Sequence, residues 1–177
     1  MKTRVLVAGV GNIFFRDDGF GPAVAAALLS AAEPLPAGVR VVDYGIRGMH
    51  LTYDLLDGVD ALVLADAVPG TMPDDRPGSI TVLEVDAGNL GEAQFDAHGM
   101  EPVSMLAGLA TLGGALPPTY VVGCVPADVS EGIGLSEPVA AAVDHAVGAV
   151  TELVWQLGHG PVGPVGAAPG DYRRGGD

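Results

Sequence analysis

Apolar and polar residues along this chain fall into short blocks whose period changes from one block to the next. Val5, Leu6 and Val7 form a continuous apolar run, the pattern of a strand covered on both faces, and Gly9, Gly11 and Asn12 end it in a loop. Pro22 suits the first turn of a helix that runs to about Ala32 with Val24, Leu28 and Leu29 on its apolar face, and E-P-L-P-A-G then breaks it. Val39 to Asp43 predicts a second strand ending in the glycine-bounded turn Y-G-I-R-G. H-L-T-Y-D-L-L-D-G follows as a helix closed by Gly58, and Asp60 to Asp66 is a third buried strand.

The second half continues the alternation with one change of period. Ser79 to Val85 alternates apolar and polar residues two by two, which predicts a half-exposed edge strand, open to antiparallel pairing. Gly88 to Met100 reads as an irregular acidic loop carrying His98, and Val103, Leu106, Leu109 and Ala110 give Pro102 to Leu112 helical spacing. Thr119 to Val125 is the last buried strand. Ser136 stands as the N-cap of a closing helix with the stripe Val139, Val143, Val147, Val150, Val154 and Leu157. Strands alternating with helices predict a single three-layer α/β domain over residues 1–158, with a mainly parallel twisted sheet of about five strands and helices on both faces. Residues 159–177 predict a flexible Gly/Pro-rich tail, too poor in apolar side chains to bury a core.

Charge and cysteine content narrow the classes of partner. Lys and Arg number 8 against 22 Asp and Glu, a net charge of −14, and that field repels nucleic-acid phosphates and anionic membranes. No apolar run approaches the ~20 residues of a membrane span, and the N-terminal run flows into G-V-G-N-I without a signal-peptide cleavage pattern, so a cytoplasmic monomer is expected. The single cysteine, Cys124, excludes an internal disulfide and a multi-cysteine metal site; it reads as a small buried apolar side chain.

Acids gather at the carboxyl ends of the predicted strands: Asp17 and Asp18 after the first, Asp43 after the second and Asp66 at the end of the third. That is the edge where open α/β sheets bind ligands. With His98 folded over them, these carboxylates offer oxygen and nitrogen ligands to a transition metal such as nickel or zinc, or a seat for an attacking water. Each also has a plainer reading: Asp66 as a turn cap, Asp17 and Asp18 as solvated partners of a helix dipole, His98 as a loop histidine. His50, His145 and His159 are weaker candidates. A nucleotide-dependent oxidoreductase is a rival, but the G-x-G-x-x-G pattern begun by Gly9 and Gly11 has Phe14 at its third glycine position.

Five stretches taken in order, G-V-G-N-I-F-F-R-D-D-G-F-G-P, D-Y-G-I-R-G-M-H-L, L-V-L-A-D-A-V, D-A-H-G-M and V-G-C-V-P-A-D-V-S-E-G-I-G-L-S, resemble the maturation endopeptidases of nickel-iron hydrogenases over about residues 3–157. The resemblance implies a cytoplasmic protease that clips a C-terminal extension from the nickel-loaded large-subunit precursor. It places metal contacts at Asp18, Asp66 and His98, with nickel carried by the precursor, and Asp43 as a contributor to cleavage or substrate contact. The first acid is often glutamate in that family, so Asp18 is one methylene shorter. Whether Asp18, Asp66 and Asp43 work as an aspartic-type site or assist a metal-polarised carbonyl stays open, as does the role of Arg47. A nickel-checking chaperone without cleavage is the remaining alternative.

Overall fold

The computed structural model describes residues 3–70, 72–85, 106 and 109–158. Its sheet has five strands, β1 (Val5–Val10), β2 (Val39–Gly45), β3 (Ala61–Ala67), β4 (Ile80–Val85) and β5 (Thr119–Cys124), in the order β2-β1-β3-β5-β4. All neighbours run parallel except β4, which pairs antiparallel with β5 at the edge. The period-two pattern of β4 is thus explained: its residues are half-buried or exposed, whereas every residue of β1, β3 and β5 is buried.

Helices α1 (Phe20–Ser30) and α3 (Glu137–Gly158) cover one face, and α2 (Gly48–Leu56) covers the other. Odd-numbered residues of β1 and β3, such as Val5, Val7, Val63 and Ala65, pack with Val24 and Leu28 of α1 and with Val150 and Val154 of α3. Even-numbered ones, such as Leu6, Ala8, Leu62 and Leu64, pack with Leu51 and Leu55 of α2. One residue of strand period therefore decides which layer a side chain joins. No helix among the described residues is long and apolar enough to cross a membrane.

Several boundaries move from their expected places. The first helix starts at Phe20 rather than Pro22, and Leu29, expected on its apolar face, is 64% exposed because the face is narrow and Ala31 is already extended. The second begins at Gly48, before His50. In α3 the tight contacts belong to Ala142 and Ala146, with Val143 and Val147 only partly buried beside them. Of the helix expected over Pro102 to Leu112, residues 102–105, 107 and 108 lie outside the described residues; Leu106 and Leu109 are buried as the spacing requires, and Ala110–Leu112 forms an exposed 3-10 turn. The Gly88 to Met100 loop with His98, and the tail after Gly158, lie outside the described residues.

Candidate active site

The chain leaves β1 toward β2 through α1 on one face and returns from β2 to β3 through α2 on the other. The strand order consequently reverses between β1 and β3, and the crevice beyond their carboxyl ends is the switch point where such sheets bind ligands. Asp66 is the sixth residue of β3 and Asp18 lies in the 3-10 turn Arg16–Gly19 that follows β1, so the two carboxylates flank that crevice.

Asp18 is held from behind. Its Oδ2 accepts the Asn12 N–H at 2.7 Å, while Asn12 Oδ1 accepts the Phe14 N–H at 3.0 Å. The backbone must double back sharply to permit this: Gly11 has φ of 135°, and a Cβ there would collide with the carbonyl oxygen of Asp18. The same packing removes the nucleotide reading. Gly11 N–H donates to Gly45 O at 3.0 Å, and with Asn12 and Phe14 also engaged, the donors a pyrophosphate needs serve the chain itself.

Asp17, its sequence neighbour, has a different task. It is fully buried and accepts from the N–H groups of Ala127 (2.8 Å), Asp128 (2.9 Å) and Ser136 (2.6 Å) and from the Ser136 hydroxyl (2.8 Å). Burial alone raises such a carboxyl, but these donors outweigh it and hold Asp17 below the ordinary carboxylate range. The expectation of a solvated turn residue is corrected: Asp17 clamps the β1–α1 connection to the loop after β5. Ser136 is where a cap belongs, its carbonyl accepting the Ala140 N–H at 2.8 Å, yet its hydroxyl serves Asp17. Arg16 completes the clamp in a left-handed conformation (φ 45°), donating its N–H to Gly132 O at 3.0 Å and pairing with Asp128 at 3.3 Å.

Asp66 is 5% exposed, the sixth residue of an otherwise apolar strand. Burial drives its carboxyl well above the ordinary range, the charge of Asp18 pushes the same way, and the Ala67 N–H pulls back only in part. A buried carboxyl beside a second, less buried one is an environment that sets two acids apart.

Asp43 stands apart from this pair. It is exposed, its Oδ1 accepts the Gly45 N–H at 2.9 Å, and β1 lies between its strand and β3, with Gly9 flanked by Asp43 on one side and Ala65 on the other. Two strand spacings separate it from β3 by about 10 Å. Among the described residues no group of three His, Cys, Asp or Glu side chains is placed to hold a metal; His98, the third expected contact, lies outside them. His50 is on α2 and His145 on α3, both exposed, and His159 is beyond the described residues. Cys124 is buried, and burial together with the Asp17 charge pushes its thiol up to about 11, so it takes no part as a nucleophile.

The rim of the crevice is apolar and open. Ile13, Phe14 (58%) and Phe15 protrude from the β1–α1 connection, and Val129 and Ile133 (77%) from the loop after β5. The two segments are laced together by Gly132 N–H donating to Phe14 O at 2.8 Å and by the bridge between Phe15 and Gly132.

Known proteins share this fold. Residues 23–153 match the hydrogenase maturation protease family. A putative hydrogenase maturation protease of Methanocaldococcus jannaschii is 34% identical over 82% of this chain and 93% of its own. The hydrogenase 2 maturation protease of Escherichia coli is 30% identical over 88% of this chain and 93% of its own. The solved structure of the E. coli hydrogenase maturating endopeptidase HybD superposes with a TM-score of 0.74 at 29% identity, covering 88% of this chain and 94% of that one. On these matches the chain belongs to the hydrogenase maturation protease family and is a peptidase.

Proposed function

We propose that this protein removes a C-terminal extension from the large-subunit precursor of a nickel-iron hydrogenase once nickel has been inserted. The observation that carries the reading is the pair at the switch point: a buried Asp66 facing Asp18, with open apolar loops around it. Nickel is cargo of the substrate, met by Asp18, Asp66 and His98, and three protein contacts leave coordination positions for the precursor's own ligands. The apolar rim of Phe14 and Ile133 suits an extended polypeptide, which needs side-chain contacts flanking the bond to be cut.

We infer an acid–base mode of cleavage in which the pair orients a water for attack on the peptide carbonyl, takes up its proton and passes it to the leaving nitrogen. Asp43, one strand further out, is assigned to substrate contact. The reading is tested by intact-mass analysis of purified precursor, nickel-loaded and nickel-free, with and without this protein. Loss of a C-terminal fragment from the nickel-loaded form alone is expected. A nickel-loaded precursor that binds and keeps its full mass would instead make the protein a checking chaperone.

A further inference from the structure

Arg47 opens α2 at the N-cap position, yet its side chain makes no cap bond and turns back onto β2. The pairing of β1 with β2 slips by one residue at its carboxyl end: Gly9 faces Asp43 and Val10 faces Gly45, so Tyr44 is the extra residue of a bulge. A bulge disrupts the ladder locally, and here the Arg47 guanidinium braces its carbonyls. Its Nη2 donates to Asp43 O, and its Nε donates to Tyr44 O at 3.1 Å, an oxygen that also accepts the Arg47 N–H at 2.8 Å.

What the bulge holds is the site. Gly45, in a left-handed conformation at φ 54°, receives the Asp43 carboxylate on its N–H at 2.9 Å and offers its carbonyl to the Gly11 N–H at 3.0 Å. Gly11 leads directly into Asn12, whose N–H holds Asp18 Oδ2 at 2.7 Å. A continuous set of hydrogen bonds therefore runs from Arg47 through the bulge to Asp43 on one branch and to Asp18 on the other. Tyr44 anchors the far side: its ring is buried against α2 and its hydroxyl donates to Asp54, which Arg40 pairs at 3.0 Å. The bulge is thus fixed at both ends, with Arg47 fastened to the carbonyl of Asp43.

We propose that Arg47 is a positioning residue for the cleavage reaction, locking the β2 bulge so that the carboxylates of Asp18 and Asp43 face the substrate in register. The proposal rests on the endopeptidase reading above and adds a residue to it. A planar fork that spans two carbonyls is a property of guanidinium; an ammonium places one charge at one point, so lysine is a partial substitute at best.

The test uses Arg47→Ala and Arg47→Lys in the full chain. Because misplacing a catalytic group by about 1 Å can cost 10²-fold, Arg47→Ala is expected to lower kcat on the nickel-loaded precursor by about that factor with KM little changed, and Arg47→Lys by less. Added guanidinium chloride, compared with sodium chloride at equal ionic strength, is expected to restore part of the Arg47→Ala rate, a rescue that general loss of stability would not show. Amide hydrogen exchange, read without any precursor, is expected to quicken at Gly11, Asn12 and Gly45 in Arg47→Ala. Unaltered kcat, or unaltered exchange at those amides, would overturn the proposal. Failure of the unsubstituted protein to cleave would sink the endopeptidase reading instead, and the exchange result would still decide whether Arg47 holds the bulge.

Discussion

Two consecutive aspartates, Asp17 and Asp18, meet opposite environments within one turn of backbone. Replacing Asp17 by alanine leaves the buried N–H groups of Ala127, Asp128 and Ser136 without an acceptor. Each such orphan costs about 1–3 kcal/mol, so the variant should lose about 3 kcal/mol or more in urea unfolding at neutral pH. The sign of its pH dependence follows from the lowered carboxyl. Stability contributed by Asp17 is present above the pKa of the unfolded chain and fades as pH falls through the depressed folded value, so the gap between Asp17→Asn and the unsubstituted protein should close in acid. Asp66 runs the other way. Its raised carboxyl adds stability only at low pH and loses it as pH rises through the folded value, so Asp66→Asn should melt above the unsubstituted protein at alkaline pH, with the two converging below the pKa of the unfolded chain. A pattern of letters could not separate these two tasks. Both acids stood at or just after strand ends in the sequence; that Asp17 found backbone donors depended on residues 110 or more positions away.

At the scale of elements, α1 lies so close to the sheet that its first turn touches the carbonyls of β1 and β3. A Cβ on Gly21 would collide with Val10 O and Ala65 O, both backbone, and one on Gly9 would collide with Gly21 O. Gly21→Ala should therefore cost about 3 kcal/mol, the upper end of ordinary overpacking, and displace the turn bearing Asp18; thermal unfolding and turnover should both fall. The strands and their order of appearance were legible because buried runs and period-two runs are distinct: continuous Val5 to Val7 and Asp60 to Asp66 became central strands, and alternating Ser79 to Val85 became the antiparallel edge. Helix ends were less legible. Pro22 reads as a helix start on local chemistry, but the 3-10 turn of Arg16–Gly19 feeds directly into the helix and carries the start back to Phe20. The bulge at Tyr44 left no local mark, since it arises from pairing between β1 and β2.

For the molecule as a whole, the topology brings residues remote in sequence to one crevice and surrounds it with exposed apolar side chains on an acidic body. The double substitution Phe14→Ser with Ile133→Ser removes two exposed rings or chains that support no core contact, so stability should change by no more than about 0.5 kcal/mol. Its KM for the precursor should rise by about tenfold, equivalent to ~1.4 kcal/mol, with kcat retained, as measured in steady-state cleavage. The ordered motifs located this crevice from the sequence, and the sheet supplies the reason: β1 and β3 are neighbours at the point where winding reverses.

The central claim is that the buried Asp66 carboxyl, facing Asp18 at that point, performs the cleavage, and the most direct test is the rate at which Asp66→Asn shortens the nickel-loaded precursor, read by intact mass. The amide keeps the shape of the side chain and relieves the burial of a charge, so the variant should be folded, at least as heat-stable as the parent at neutral pH, and without measurable cleavage. A folded Asp66→Asn that trims the precursor at the parent's rate would contradict the account.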